Sequence, residues 1–134
     1  MTTKSLHQVV VLQMPAALPF VRTARLTSAA VAAVAGMSID DVEDLVLAVD
    51  EACALLMPLA DEGAAFELRY ELTARSLTVR TSVRGAGEPD RRELGWTVLD
   101  ALASTLSSSQ EAGRVTIVFS KQSGTGDGDA LPGS

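Results

Sequence analysis

Cysteine and aromatic residues are scarce in this sequence, and each shortage excludes a kind of structure. Cys53 is the only cysteine among 134 residues, so the chain has neither an internal disulfide nor the ligands of a cysteine-based zinc site. Aromatic residues make up only 4% of the chain, although 47% of its residues are hydrophobic. We therefore expect one domain with a core of Ala, Val and Leu, large enough to fold without cross-links.

Basic residues are also few. The chain has 11 Lys and Arg against 17 Asp and Glu, which gives a net charge of −6. A protein that binds nucleic acid directly needs a basic surface that displaces counterions from the phosphates, so this balance argues against such binding. Two explanations of the acidity remain open, namely a basic protein partner and the ordinary acidity of many cytosolic proteins.

A long hydrophobic run is absent as well. Residues 5–21 contain no Asp, Glu, Lys or Arg and resemble a short signal peptide, but Pro15 and Pro19 interrupt them. No stretch reaches the roughly 18 to 20 apolar residues that span a bilayer. The sequence therefore predicts a cytoplasmic protein that is not exported and makes no membrane contact.

The rest of the sequence has clear hydrophobic periodicity. Alternating apolar residues on both sides of Ala74 and Arg75 predict a hairpin with one buried face. Ser38 is placed to cap a helix that Pro58 ends or kinks. The predicted order is strand, helix, helix, strand, strand, helix, strand, over residues 7–14, 19–36, 38–58, 65–73, 76–84, 91–109 and 113–121.

This order predicts an α/β (α+β) fold. Its helices are too few to cover both faces of a four-stranded sheet, so we expect a two-layer sandwich with the helices on one face. The last helix is predicted over residues 91–109 because four apolar residues recur on one side, Leu94, Val98, Leu102 and Leu106. We expect one domain over residues 1–122 and a disordered tail, rich in Gly, Ser and Asp, over residues 123–134.

Three motifs resemble a known superfamily. The segment 44–56, DLVLAVDEACALL, resembles the helix of the GHKL ATPases and kinases that carries Glu and, four residues later, Asn. Within it, LAVDEAC is similar to the anti-sigma factor kinases of the RsbW type. The segment VRGAGEPD stands where that family has Asp-x-Gly-x-Gly, and ELGWTVLDALAS resembles its last glycine motif. The order of strands and helices matches over residues 8–120.

The resemblance implies a Bergerat-type sandwich with a mostly antiparallel sheet and a role in transcription regulation. Such proteins bind a sigma factor and keep it from RNA polymerase, until an anti-anti-sigma protein of the STAS fold releases it. They use MgATP to phosphorylate that antagonist, and they are usually homodimers. The first helix commonly contacts sigma, which makes Arg22 and Arg25 in FVRTAR candidate partner-binding residues.

The resemblance also implies a nucleotide site, with Glu51 as general base and Gly85, Gly87 and Gly95 as nucleotide-binding residues. A carboxylate in this role takes the proton from the attacking hydroxyl. The sequence departs from the family at the Asn that holds Mg²⁺, which is Leu55 here, and at the Asp that pairs with adenine, which is Val83. Leucine offers no oxygen to a hard cation, so we expect no metal site.

The energetic cost of these departures is large. A lost hydrogen bond to a charged or buried group costs roughly 1.5 to 3 kcal/mol, so two missing anchors weaken nucleotide binding by about 10² to 10⁴ fold if they add. Only seven residues separate Gly87 from Gly95, where the family has a longer lid. For Leu55 two alternatives remain open, an isolated exposed apolar residue and an interface residue.

Two functions of different classes follow. The first is an anti-sigma factor with a degenerate nucleotide site, no cofactor, and release by partner switching alone. The alternative is an active serine/threonine kinase that uses MgATP, so enzyme activity is left undecided. A weaker third possibility is a dimerising module that has lost both activities.

Overall fold

The computed structural model of the chain describes residues 7–122, and in them five strands form one antiparallel sheet in the order β1-β2-β3-β5-β4. Three helices cover one face of this sheet and leave the other open. The strands are β1 (Gln8–Pro15), β2 (Ala65–Leu72), β3 (Ser76–Arg84), β4 (Thr105–Glu111) and β5 (Arg114–Gln122). The helices are α1 (Val21–Val34), α2 (Ile39–Leu56) and α3 (Leu94–Leu102). The predicted two-layer fold class is confirmed. The disordered tail predicted over residues 123–134 lies outside the described residues.

The β2–β3 hairpin supplies the centre of the core. As predicted, its two-residue turn is closed at Thr73 and Ser76, where the Thr73 N–H donates to the Ser76 carbonyl at 3.0 Å. Alternate residues point toward the helices and are buried, whereas their neighbours face the open side. The inward set comprises Phe66, Leu68, Tyr70, Leu72, Leu77, Val79, Thr81 and Val83.

The helices begin and end largely where local chemistry predicts. The Ser38 hydroxyl accepts the Asp41 N–H at 3.2 Å and caps α2. Pro58 stands in a 3-10 turn, Met57–Leu59, which follows α2 directly. Gly36 adopts φ +79° just after α1, a left-handed conformation that commonly terminates helices.

The third predicted helix is wrong in its second half. α3 ends at Leu102, Ala103 is extended, and the next residues form β4, so the sheet has five strands rather than four. Leu106 follows Leu102 by four residues, which suggested that the helix continues. The Ser and Thr residues around Leu106, however, have weak helix propensity. A two-residue turn at Ala112 and Gly113, both at positive φ, pairs β4 with β5.

Among the buried side-chain polar atoms of residues 7–122, one lacks a hydrogen-bond partner. Thr81 is fully buried between Leu68 and Ile117 on the neighbouring strands, and its hydroxyl makes no hydrogen bond. A buried hydroxyl without a partner costs roughly 1 to 3 kcal/mol.

Thr81→Val is therefore expected to stabilise the protein by about 1 kcal/mol, because valine has nearly the same shape without the polar group. Urea unfolding measures the change. The matched control is Thr78→Val on the open face of the same strand, for which we expect little effect. An unchanged or lower stability of Thr81→Val would mean that the hydroxyl has a partner in solution.

Within residues 7–122, none of the helices is long and apolar enough to span a membrane.

Candidate functional site

The fold brings Glu51 and Gly95 together. Glu51 lies on α2, half-buried, where α2 packs against α3. Gly95 occupies the first turn of α3, and a methyl group added to it would lie 2.7 Å from Oε1 of Glu51. A glycine thus lets the backbone of α3 approach the carboxylate closely.

Leu55 lies one turn after Glu51 on α2, and like Glu51 it lies next to Gly95 of α3. It is 9% exposed, and a methyl group on Gly95 would lie 3.7 Å from its side chain. Of the two alternatives for Leu55, the isolated exposed residue is therefore wrong, because the side chain belongs to the core. The position offers an incoming cation only hydrocarbon.

Val83 is likewise apolar and fully buried. It lies near the end of β3, opposite Phe66 on β2 and Val115 on β5. The residue that the resemblance aligns with an adenine-binding carboxylate is thus part of the hydrophobic core.

The three backbone N–H groups of the Gly-Ala-Gly turn are all used within the protein. Gly85 donates to the Gly113 carbonyl at 3.0 Å, Ala86 to the Leu59 carbonyl at 3.3 Å, and Gly87 to Oε1 of Gln110 at 2.9 Å. Anion cradles require N–H groups that point at the ligand. In this conformation the turn offers a phosphate no free donor.

A groove lies between the end of α2 and the loop that precedes α3. Its volume is about 280 Å³. Its apolar lining residues come from the end of α2 and the turn after it, and we call them the floor. Three carboxylates of the loop before α3 complete the lining, and we call them the rim and the whole site the acidic groove. Its lining residues are Ala54, Leu55, Pro58, Leu59, Glu88, Asp90 and Glu93.

Sequence reasoning missed the three rim residues of the acidic groove. The segment GEPDRRELG contains all of them, and its acids were a usable signal. Only the tertiary structure brings them next to Leu55. A negative rim repels a triphosphate and attracts a cation.

The loop of the acidic groove is held at several points. Oδ1 of Asp90 accepts the Arg92 backbone N–H at 2.9 Å and its guanidinium at 3.2 Å, which together lower the pKa of Asp90. Arg91 stacks over the ring of half-buried Trp96, 4.6 Å from its centroid, and donates to Ser108 on β4 at 3.0 Å. The loop is short and is held in place by these contacts, whereas the resemblance implies a longer lid at this position.

A second groove, of about 290 Å³, lies between α2 and the start of α1. Arg25 bonds Asp50 across it at 3.0 Å, beside Glu51. Arg22 is exposed on α1 and is not among the lining residues. The remaining lining residues of this groove, called here the α1 groove, are Leu18, Val21, Ala54 and Met57.

The single cysteine has no chemistry to offer at this site. Cys53 is fully buried, and burial, followed by the charge of Asp50, raises the pKa of its thiol to about 12. Its reactive thiolate is therefore scarce at neutral pH. No group of three or more His, Cys, Asp or Glu able to hold a metal ion occurs within residues 7–122.

Comparison with known proteins identifies a family and solved structures of similar fold. Residues 14–121 match the histidine kinase-like ATPase domain. A search of curated proteins finds no significant match. The crystal structure of the RsbU and RsbW domains of Rv1364c from Mycobacterium tuberculosis is similar in fold, with a TM-score of 0.71 and 18% identity. That likeness covers 85% of this chain and 32% of the other. Because the family match extends over most of its length, this chain belongs to the histidine kinase-like ATPase domain family.

Proposed function

We propose that this protein is an anti-sigma factor of the RsbW type, acting in the cytoplasm as one domain over residues 1–122. It sequesters an RNA polymerase sigma factor and releases it when a STAS-domain antagonist competes for the same surface. The fold supports this proposal, since a solved relative of similar fold contains an RsbW domain. Nucleotide chemistry is not needed for release in this scheme.

The acidic groove carries the proposal of a degenerate nucleotide site. The residues there do not fit MgATP, because carboxylates line the rim and Leu55 stands where an amide oxygen should meet the metal. The N–H groups of residues 85–87 already have acceptors. With the fold intact and the phosphate ligands missing, protein binding is the function that this domain still supports.

Thermal unfolding with and without MgATP tests this proposal. A ligand at 100 times its Kd adds about 2.7 kcal/mol of stability, which raises the Tm by several degrees. We expect no rise at millimolar MgATP. Magnesium alone serves as the control for ion effects, and a clear rise specific to MgATP would overturn the degenerate-site proposal.

An active kinase is the second candidate, and Glu51 is the observation that favours it. Its carboxylate lies close to Gly95, and the resemblance implies that this residue acts as a general base. Incubation with MgATP and the STAS antagonist, followed by intact-mass spectrometry, separates the two candidates. We expect no added phosphate, and a Glu51-dependent mass increase would support the kinase instead.

Co-purification tests the sigma partner directly. We expect the protein to retain a sigma subunit in a controlled pull-down and to release it when the STAS antagonist is added. A pull-down in which sigma is present in the lysate but absent from the eluate would overturn the anti-sigma proposal.

The proposed sigma surface includes α1. Arg22 is exposed and makes no ion pair with residues 7–122, whereas Arg25 is paired with Asp50, so we take Arg22 as the partner contact. Arg22→Ala is expected to weaken sigma binding by about tenfold, as measured by titration calorimetry. Arg75→Ala, an exposed arginine in the β2–β3 turn, is the control. Equal affinities of the two variants would remove Arg22 from the interface.

We also propose a homodimer, with β1 at its interface. β1 is an edge strand that contains no charged residue, and Val9, Val10 and Val11 are 39 to 47% exposed. Beside it lies an apolar groove of about 310 Å³ that Val31 and Val34 of α1 help to line. Edge strands without charges or bulges pair readily with another strand. A second copy would cover both the edge and the groove.

A further inference from the structure

The rim of the acidic groove carries more negative charge than the protein itself neutralises. Asp90 is paired with Arg92 at 3.2 Å. Within residues 7–122, no Lys or Arg nitrogen lies within 4.0 Å of the carboxylates of Glu88 and Glu93. Glu51 adds a further carboxylate nearby, beside Gly95. Among the described residues, Glu88 and Glu93 thus make no ion pair, although the charge of Glu93 also acts on the nearby Arg92 guanidinium, which is paired with Asp90.

Its floor has the opposite character. Leu55 and Leu59 line it together with Ala54 and Pro58, and none of these side chains can donate a hydrogen bond. An occupant must therefore combine hydrocarbon with positive charge. The side chains of Lys and Arg do so, because their aliphatic stems lie on apolar surface while the charged ends reach polar groups.

The groove lies near the lower end of the size range of ligand pockets. Pockets that hold small molecules have volumes of about 300 to 1,000 Å³, and this one is slightly smaller. Through Ala54, which lines both, it adjoins the α1 groove. A chain segment bound in the α1 groove can therefore continue past Ala54 into the acidic groove.

We propose that the acidic groove receives a basic amphipathic segment of the protein partner, with a lysine or arginine between Glu88 and Glu93 and its apolar neighbours on the floor. This inference rests on the proposed anti-sigma function and assigns the partner's chemistry at one part of that surface. The family's nucleotide pocket thereby becomes a protein-docking pocket. Affinity of the partner depends on salt, since the contact is electrostatic at the rim.

The first experiment uses a synthetic peptide in which lysine alternates with leucine. Its affinity is measured by calorimetry for the natural protein and for the double variant Glu88→Gln, Glu93→Gln. We expect the double variant to bind about tenfold more weakly. The control carries Glu43→Gln and Glu62→Gln, exposed acids outside the groove, and changes the net charge equally. Melting curves of both double variants establish that each is folded.

Each outcome of these titrations either supports or overturns the proposal. Equal losses in the two double variants would attribute the binding to net charge and overturn the proposal. A peptide with glutamate in place of lysine must bind weakly, and equal binding would likewise overturn it. The same variants are then titrated with the co-purifying sigma factor. Full sigma affinity in the Glu88→Gln, Glu93→Gln variant would overturn this inference while the anti-sigma function stands, whereas no sigma binding by the natural protein overturns the function itself.

Discussion

Replacing Gly85 with alanine is expected to destabilise the protein by about 3 kcal/mol or more. A Cβ at this position would overlap the carbonyl oxygen of Leu59 and lie 2.9 Å from its carbonyl carbon. These are backbone atoms held by the bridge between Ala60 and Gly85 and by the Asp61 N–H, which donates to the Arg84 carbonyl at 2.9 Å. They cannot move aside as a side chain would. Thermal unfolding should show a Tm lower by roughly 10 °C.

Gly36→Ala provides the matched control for Gly85→Ala. Gly36 has φ +79° and nothing within 4 Å of an added Cβ, so alanine there meets only the left-handed strain of about 1 to 2 kcal/mol. If Gly85→Ala costs no more than Gly36→Ala, the backbone around Leu59 is not rigid. A much larger loss of stability in Gly85→Ala would show that close packing against Leu59 accounts for the glycine, without a bound phosphate.

The second large effect is expected for Leu55→Asn, which restores the residue type of the family. Leu55 is 9% exposed, and losing a buried leucine costs about 2 to 4 kcal/mol. We also expect no stabilisation of this variant by MgATP. One amide does not remove the carboxylates of Glu88 and Glu93 or add a polar group at Val83.

Leu47→Asn is the control for Leu55→Asn, because it makes the same change on α2 at a side chain that is 42% exposed and lines neither groove. Its effect on stability should stay within about 1 kcal/mol. Melting curves of both variants are recorded with and without millimolar MgATP. A Tm rise with MgATP in Leu55→Asn but not in Leu47→Asn would show that a single residue accounts for the lost site.

The strands and helices with strong local patterns could be predicted from the sequence. The β2–β3 hairpin follows from strict alternation around a two-residue turn, and α2 follows from its Ser38 cap and its apolar stripe. β4 could not be predicted in this way, because Leu106 continues a helical spacing. Its conformation is decided by pairing with β5, which follows directly after the turn at Ala112 and Gly113, and this pairing outweighs the helical spacing of the apolar residues in 91–109.

The candidate site could likewise be predicted from the sequence only in part. The motifs suggested that Glu51 and Gly95 belong together, and their contact follows from the packing of α2 on α3. The same motifs could not indicate that the N–H groups of residues 85–87 have internal acceptors. Nor could they indicate which side chains surround Leu55, since the rim carboxylates come from a loop distant in sequence.

The sequence by itself determined the fold class, the core-facing residues of the hairpin and the apolar residue at position 55, because these depend on local periodicity and side-chain chemistry. Tertiary structure alone decided the fifth strand, the burial of Leu55 and the acidic groove at the end of α2. The burial of Leu55 and the acidic groove require α2 to meet α3 and the loop before it, which lie far from α2 in the chain. The fifth strand depends on hydrogen-bonded pairing with β5, which outweighs the local helical spacing.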